Sequence, residues 1–134
     1  MEAALTDAAM IERPEIAGDV AAAGLRAFFR VSQAWGLGES ACRVLLGQPS
    51  RATYYNWKRG RVRRISHDTV RRLSYVLGIY KALQILYADR DLADGWIARP
   101  NAAFGGATAL DRMLAGDVTD LAFVRQHLDA ARGG

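Results

Sequence analysis

A chain of 134 residues, half of them apolar, is long enough for one compact domain or two small modules sharing a helix, and too apolar for wholesale disorder. Its formal charge of +4 is modest, but Arg51, Lys58, Arg59, Arg61, Arg63, Arg64, Arg71 and Arg72 stand against Asp68 alone while both flanking segments are net acidic, a distribution that suits a polyanion. Cys42 is the only cysteine, which excludes an intrachain disulfide and a cysteine-based metal site; no apolar run approaches the ~20 residues of a membrane span, and the acidic N-terminus is unlike a signal peptide, so a cytoplasmic protein is expected.

Residues 1–18 hold an alanine-rich run broken by Arg13-Pro14 and read as a flexible N-terminal arm. Asp19 suits an N-cap, and Val20 to Trp35 reads as a helix with Leu25, Phe28, Phe29, Ser32 and Trp35 near one face, ended by Gly36 and Gly38. A short helical run from Glu39 to Leu46, the break Gly47-Gln48-Pro49 and a second helix capped by Ser50 then give a helix-turn-helix over about residues 38–59, inside a DNA-binding module of residues 19–65.

In the second helix of that pair, Tyr54 and Trp57 face Ala41, Leu45 and Leu46 of the first, which is a packing role. Arg51, Ala52, Tyr55 and Asn56 fall on the opposite face. An arginine can pair bidentately with guanine and an asparagine with adenine, while an alanine or an aromatic ring can touch a thymine methyl. Lys58, Arg59, Arg61, Arg63 and Arg64 lack the regularity of base reading and suit phosphate contacts; Ser50 and Thr53, at the helix start, complete the candidate DNA-binding set. The plainer alternative is a solvated basic face.

Ser66, with Asp68 and Thr69 in the first turn, opens a long helix to about Tyr87. Val70, Leu73, Leu77, Tyr80 and Leu83 make its main stripe, and Val76, Ile79, Leu86 and Tyr87 extend the apolar surface around the side, as in a helix buried on more than one face. Running about 33 Å, residues 66–87 read as a spine shared by two modules.

The second module, residues 88–134, has a helical run around Trp96, a break at Pro100-Asn101, a turn at Phe104-Gly105-Gly106, and a short helix capped by Thr108 that holds Leu110, Met113 and Leu114. Gly116 stops that helix, Asp117 or Thr119 restarts the chain, and Leu121, Val124, Leu128 and Ala131 mark the last helix. Phe123, His127 and Ala130 lie opposite that stripe, so an outward Phe123 points to a dimer or partner surface. With no β-alternating run of useful length, the fold class expected is all-α.

Enzyme signatures are poor. His67 and His127 have no partner at a spacing that implies a metal site or a triad, and both read as surface histidines; Cys42 reads as a small buried residue. Gly105-Gly106 lacks the preceding strand and following lysine of a phosphate loop. No catalytic residue, metal site or cofactor is expected.

Taken together, Arg72-Leu-Ser-Tyr-Val-Leu-Gly-Ile-Tyr-Lys-Ala-Leu-Gln-Ile-Leu86, Trp96-Ile-Ala-Arg-Pro-Asn101, Phe104-Gly-Gly106, Ala109-Leu-Asp-Arg-Met-Leu114 and Val124-Arg-Gln-His-Leu-Asp-Ala130 resemble the Xre/MbcA/ParS family of bacterial antitoxins over roughly residues 25–134. The resemblance implies an Xre-like helix-turn-helix joined to a small helical toxin-binding and dimerisation domain, with a partner that is commonly a RES-domain toxin consuming NAD+. Trp96, Pro100, Asn101, Gly106, Leu110, Asp111, Met113 and Leu114 would build that domain. Its candidate toxin-binding or dimerisation residues are Trp96, Pro100, Asn101, Leu110, Met113, Phe123, His127, Ala130 and Arg132, the last helix and its Ala130-Ala-Arg-Gly-Gly134 end lying towards the toxin.

The function expected is therefore that of an antitoxin, not an enzyme, which neutralises a RES toxin and, as a homodimer on operator DNA, represses its own operon. The alternatives are an inhibitor or scaffold that does not bind DNA, and an ordinary dimeric transcriptional repressor. None of these readings involves a membrane.

Overall fold

The computed structural model describes residues 15–133. In chain order they form β1 (Glu15–Ala17), α1 (Gly18–Ala34), α2 (Glu39–Leu45), α3 (Arg51–Lys58), β2 (Arg64–Ser66), α4 (His67–Leu86), α5 (Arg90–Gly95), α6 (Ala109–Met113) and α7 (Val118–Ala131), with single 3-10 turns at Trp96–Ala98 and Ala102–Phe104. The fold is all-α but for one two-stranded antiparallel ladder in which Ile16 pairs with Ile65. The first fourteen residues of the expected arm lie outside the described residues, and Glu15–Ala17 form β1. A three-residue strand is too short to show a period of two, which is why the sequence pattern did not reveal it. The ladder fixes the basic connection: Ile65 turns into the core while Arg64 and Ser66 stay outside.

Most helix ends carry a local signal. α1 begins at Gly18, just before the expected cap Asp19. It ends in a Schellman turn, where Leu37 N–H donates to Ser32 O and Gly36 N–H to Gln33 O. Ser50 caps α3 by accepting from Thr53 N–H, and Ser66 caps α4 by accepting from Thr69 N–H. Thr108 with Asp111 and Asp117 with Asp120 make capping boxes for α6 and α7.

α4, 20 residues long, packs against α1, α5 and α7. One continuous core results, from Leu25, Phe28, Leu45, Leu46 and Tyr54 at the helix-turn-helix end to Leu121, Val124 and Leu128 of α7. The buried stripe of α4 is rotated from the expected one. Leu73 and Leu83 are in it, but Val70, Leu77 and Tyr80 are half-buried, and Val76, Ile79 and Ala82 hold the centre. Neighbours on two sides place the deepest line between two apolar stripes rather than along either.

Arg72 lies in the same buried line, only 8% exposed. Its guanidinium donates to Asp68 Oδ2 at 2.8 Å, to the carbonyl of Val44 at the end of α2 at 3.2 Å, and to the carbonyl of Gly116 between α6 and α7 at 2.9 Å. Gly47 makes room for it. The backbone there has φ +92°, and a Cβ would meet Asp68 Oδ2 at 2.9 Å and Arg72 Nε at 3.1 Å.

Candidate nucleic-acid and partner interfaces

α3 presents two unlike sides because its first and second turns pack on α1 through Tyr54, which is 2% exposed and meets the Phe29 ring edge-on at 5.6 Å. Trp57, expected beside Tyr54 in the packing, is only half-buried. At 100° per residue the far side carries Ala52, Asn56 and Arg59, all exposed, with Arg51 and Tyr55 along one edge. Ser50 and Thr53 spend hydroxyl and amide groups on the cap, with Ser50 Oγ 3.1 Å from Thr53 Oγ1.

Two of the expected reading residues are already engaged. Glu39, the first residue of α2, accepts from Arg51 Nε at 2.7 Å and Nη2 at 3.3 Å, and from the Tyr55 hydroxyl at 2.7 Å. The Tyr55 hydroxyl foremost, and then the Arg51 guanidinium, hold the Glu39 carboxyl below its usual value, and Glu39 raises Arg51 in return. Arg51 also lies 5.7 Å from the Tyr55 ring centre. The fork expected to face a guanine therefore faces a carboxylate, while Asn56 keeps an exposed side chain. Glu39 was not singled out in the sequence; only the register of the two helices brings it to a residue twelve positions on.

Lys58, Arg59, Arg61 and Arg63 are exposed along the end of α3 and the connection, and Arg64 stands on the outer side of β2. Arg61 N–H closes the helix end on Asn56 O at 2.8 Å, which fixes where the run leaves α3. Arg72 is the exception in the basic stretch: buried and hydrogen-bonded, it belongs to the core and not to a polyanion surface.

The second surface lies at the other end of the molecule's core, where α7 meets the 3-10 turns. Trp96 stacks on His127 with ring centres 6.0 Å apart and planes at 23°, and Phe104 meets Trp96, His127 and Phe123 at 6.0, 5.4 and 6.0 Å. His127 is thus half-buried in an aromatic cluster and not simply a surface histidine. Phe123 is 41% exposed, and Arg112 lies over its ring at 4.0 Å while donating to Asp120 Oδ1 at 2.7 Å. Phe104, Arg112 and Phe123 line a groove of about 440 Å³ with Thr108 and Asp111.

The remaining expected partner residues divide by burial. Trp96 and Met113 are buried and Leu110 is half-buried, so they shape the module from within. Asn101 is structural, donating from its N–H to Ala107 O and accepting from Ala103 N–H at 2.9 Å each. Pro100, Ala130 and Arg132 are exposed, the last 3.9 Å from Asp129 Oδ1. Among the described residues no group of three or more His, Cys, Asp or Glu could hold a metal ion, and no helix is long and apolar enough to cross a membrane.

Comparison with known proteins follows the same division. Residues 14–78 match the antitoxin Xre-like helix-turn-helix domain, and residues 82–134 match the antitoxin Xre/MbcA/ParS C-terminal toxin-binding domain, so that the two matches meet inside α4. The chain is also similar to the protein y4oB of Sinorhizobium fredii, with 50% identity over 112 residues, 84% of this chain and 86% of that one.

Proposed function

The chain belongs to the Xre/MbcA/ParS family of antitoxins, and on that premise we propose that it neutralises a RES-type toxin that consumes NAD+ and, as a homodimer, represses its own operon through α3. The observation that carries this reading is the separation of two unlike surfaces on one core: a basic helix and connection at one end, an exposed phenylalanine beside an aromatic groove at the other. Asn56 reads a base, Lys58, Arg59, Arg61, Arg63 and Arg64 meet phosphates, and the Ser50 to Thr53 turn sets the helix against the duplex. On the other surface Phe123 anchors the toxin, while Ala130 and Arg132 at the end of α7 lie towards its NAD+ pocket.

The test is co-expression with a RES-domain toxin, the first choice being one encoded in the gene's own neighbourhood if the genome carries it there. Cellular NAD+ should be held at the level of toxin-free cells, and a reporter driven by the operon's own promoter should be silenced. NAD+ that still falls would remove the neutralisation reading, and a toxin that leaves NAD+ untouched when expressed alone would remove the RES reading. The Glu39 bridge favours a second reading, an inhibitor whose basic face serves assembly, because it occupies two of the residues best suited to bases. That reading predicts neutralisation with no specific operator complex.

A further inference from the structure

α1 contributes charge to the same face as α3, although the first fifty residues are net acidic. Arg26 and Arg30 stand four residues apart on one side of α1, about 6 Å along its axis. With Lys58 and Arg59 they line a groove of about 620 Å³ between α1, the start of α2 and the second half of α3. The rings of Phe29 and Trp57 form part of its wall. Glu39 is the one acidic residue lining it, and its two carboxylate oxygens already accept from Arg51 and Tyr55. Among the described residues no carboxylate lies in ion-pair distance of Arg26, Arg30, Lys58 or Arg59, so the groove carries four uncompensated cations.

We propose that this groove takes one sugar-phosphate strand of bound DNA, which makes α1 part of the nucleic-acid interface. The inference rests on the reading of α3 as a DNA-binding helix. A helix ~10–12 Å across fills a major groove ~12 Å wide, so its front meets base edges and its flanks meet the phosphate strands. Lys58 lies on the flank of α3 shared with Arg51 and Tyr55, and Arg59 follows beside the exposed Asn56, so the cationic groove borders the C-terminal end of the reading face. A strand lying there passes between the arginines of α1 and the end of α3. The contacts are to phosphate and carry no sequence information.

The experiment uses the full-length protein with the double variant Arg26→Gln/Arg30→Gln and the charge-keeping double variant Arg26→Lys/Arg30→Lys. Affinities for a duplex from the operon's own promoter and for an unrelated duplex are measured between about 50 and 200 mM salt. Each phosphate contact contributes about 0.9 to the slope of log affinity against log salt. The glutamine variant should therefore lose about two units of slope per bound protomer on both duplexes alike, and the lysine variant should keep nearly all of it. A glutamine variant with the wild-type slope overturns the proposal while leaving DNA binding by α3 intact. A wild-type protein whose affinity ignores salt removes the DNA reading itself. Calorimetric titration with ATP and with pyrophosphate covers the remaining occupant: saturable binding lost in the glutamine variant, with its DNA slope unchanged, would give the groove to a small phosphorylated ligand and overturn the proposal.

Discussion

Arg72 Nη2 lies 2.9 Å from the carbonyl oxygen of Gly116, 44 residues further along the chain, and its Nη1 reaches the carbonyl of Val44 at 3.2 Å. One buried guanidinium thereby ties the end of α2 to the turn between α6 and α7, across the helix that both halves share. A polar bridge of this kind fixes geometry that apolar packing against α4 would leave free to slide, because its hydrogen bonds are directional and the Gly116 carbonyl loses a charged donor when it breaks, whereas the Val44 carbonyl keeps the Gly47 N–H.

Removing that bridge should therefore cost far more than removing a surface arginine. Arg72→Ala is expected to destabilise the protein by about 2–4 kcal/mol, since the half-buried carbonyls of Val44 and Gly116 lose a charged donor and a buried side chain is cut back to a methyl group. Arg72→Lys, with one compact ammonium in place of a planar fork, should recover only part. Urea denaturation measures both. An Arg72→Ala protein as stable as wild type would mean that the three hydrogen bonds contribute nothing net.

Glu39 should act as a brake on Arg51. Replacing it as Glu39→Gln removes the charge that faces the guanidinium and should raise affinity for all DNA and steepen the salt slope by up to about one unit. Its folded carboxyl is held down chiefly by the Tyr55 hydroxyl, so the stabilisation it contributes is complete above the ordinary glutamate value and is lost as pH falls through the lower folded value. An NMR titration of Glu39 in Tyr55→Phe should show that value moving up. No movement would separate Tyr55 from the bridge.

The two aromatic residues on the inner side of α3 should behave differently. Tyr54→Ala, at a buried site against Phe29, should cost about 3–5 kcal/mol, whereas Trp57→Ala, at a half-buried one, should cost clearly less. Thermal unfolding of the two variants gives the order. Equal losses would place Trp57 as deep as Tyr54.

The exposed connection after α3 makes a non-specific prediction. Arg61→Ala with Arg63→Ala should weaken binding to every duplex about equally and flatten the salt slope by up to about two units, with no loss of toxin neutralisation. A slope that stays put would take these two arginines out of the interface.

Local signals in the sequence were sufficient for most of the architecture. Ser50, Ser66 and Thr108 each cap the helix that their position before a periodic run predicts, and Gly36, Gly47 and Gly116 end helices where they stand. The candidate site was less legible, because its decisive contacts join residues distant in sequence. Arg72 counts as one more basic residue until α2 and the α6–α7 turn close around it. Glu39 shows no link to Arg51 until two helices cross, and Arg26 and Arg30 sit in an acidic stretch until α1 lies beside α3. Periodicity reports which face of one helix is apolar; it carries no information about which neighbour will cover a charged side chain.

The division of labour between the two surfaces is tested most directly by electrophoretic mobility of promoter DNA with the protein and then its toxin added. Wild type should retard the duplex and retard it further with toxin. Asn56→Ala should lose discrimination for the promoter by roughly 1–3 kcal/mol, while Phe123→Asp should retard DNA normally but give no further shift with toxin, its 41% exposed ring having been replaced by a charge on the partner surface. A Phe123→Asp protein that still carries toxin onto the DNA, or one that loses the DNA shift while remaining folded, would contradict two independent interfaces built on one core.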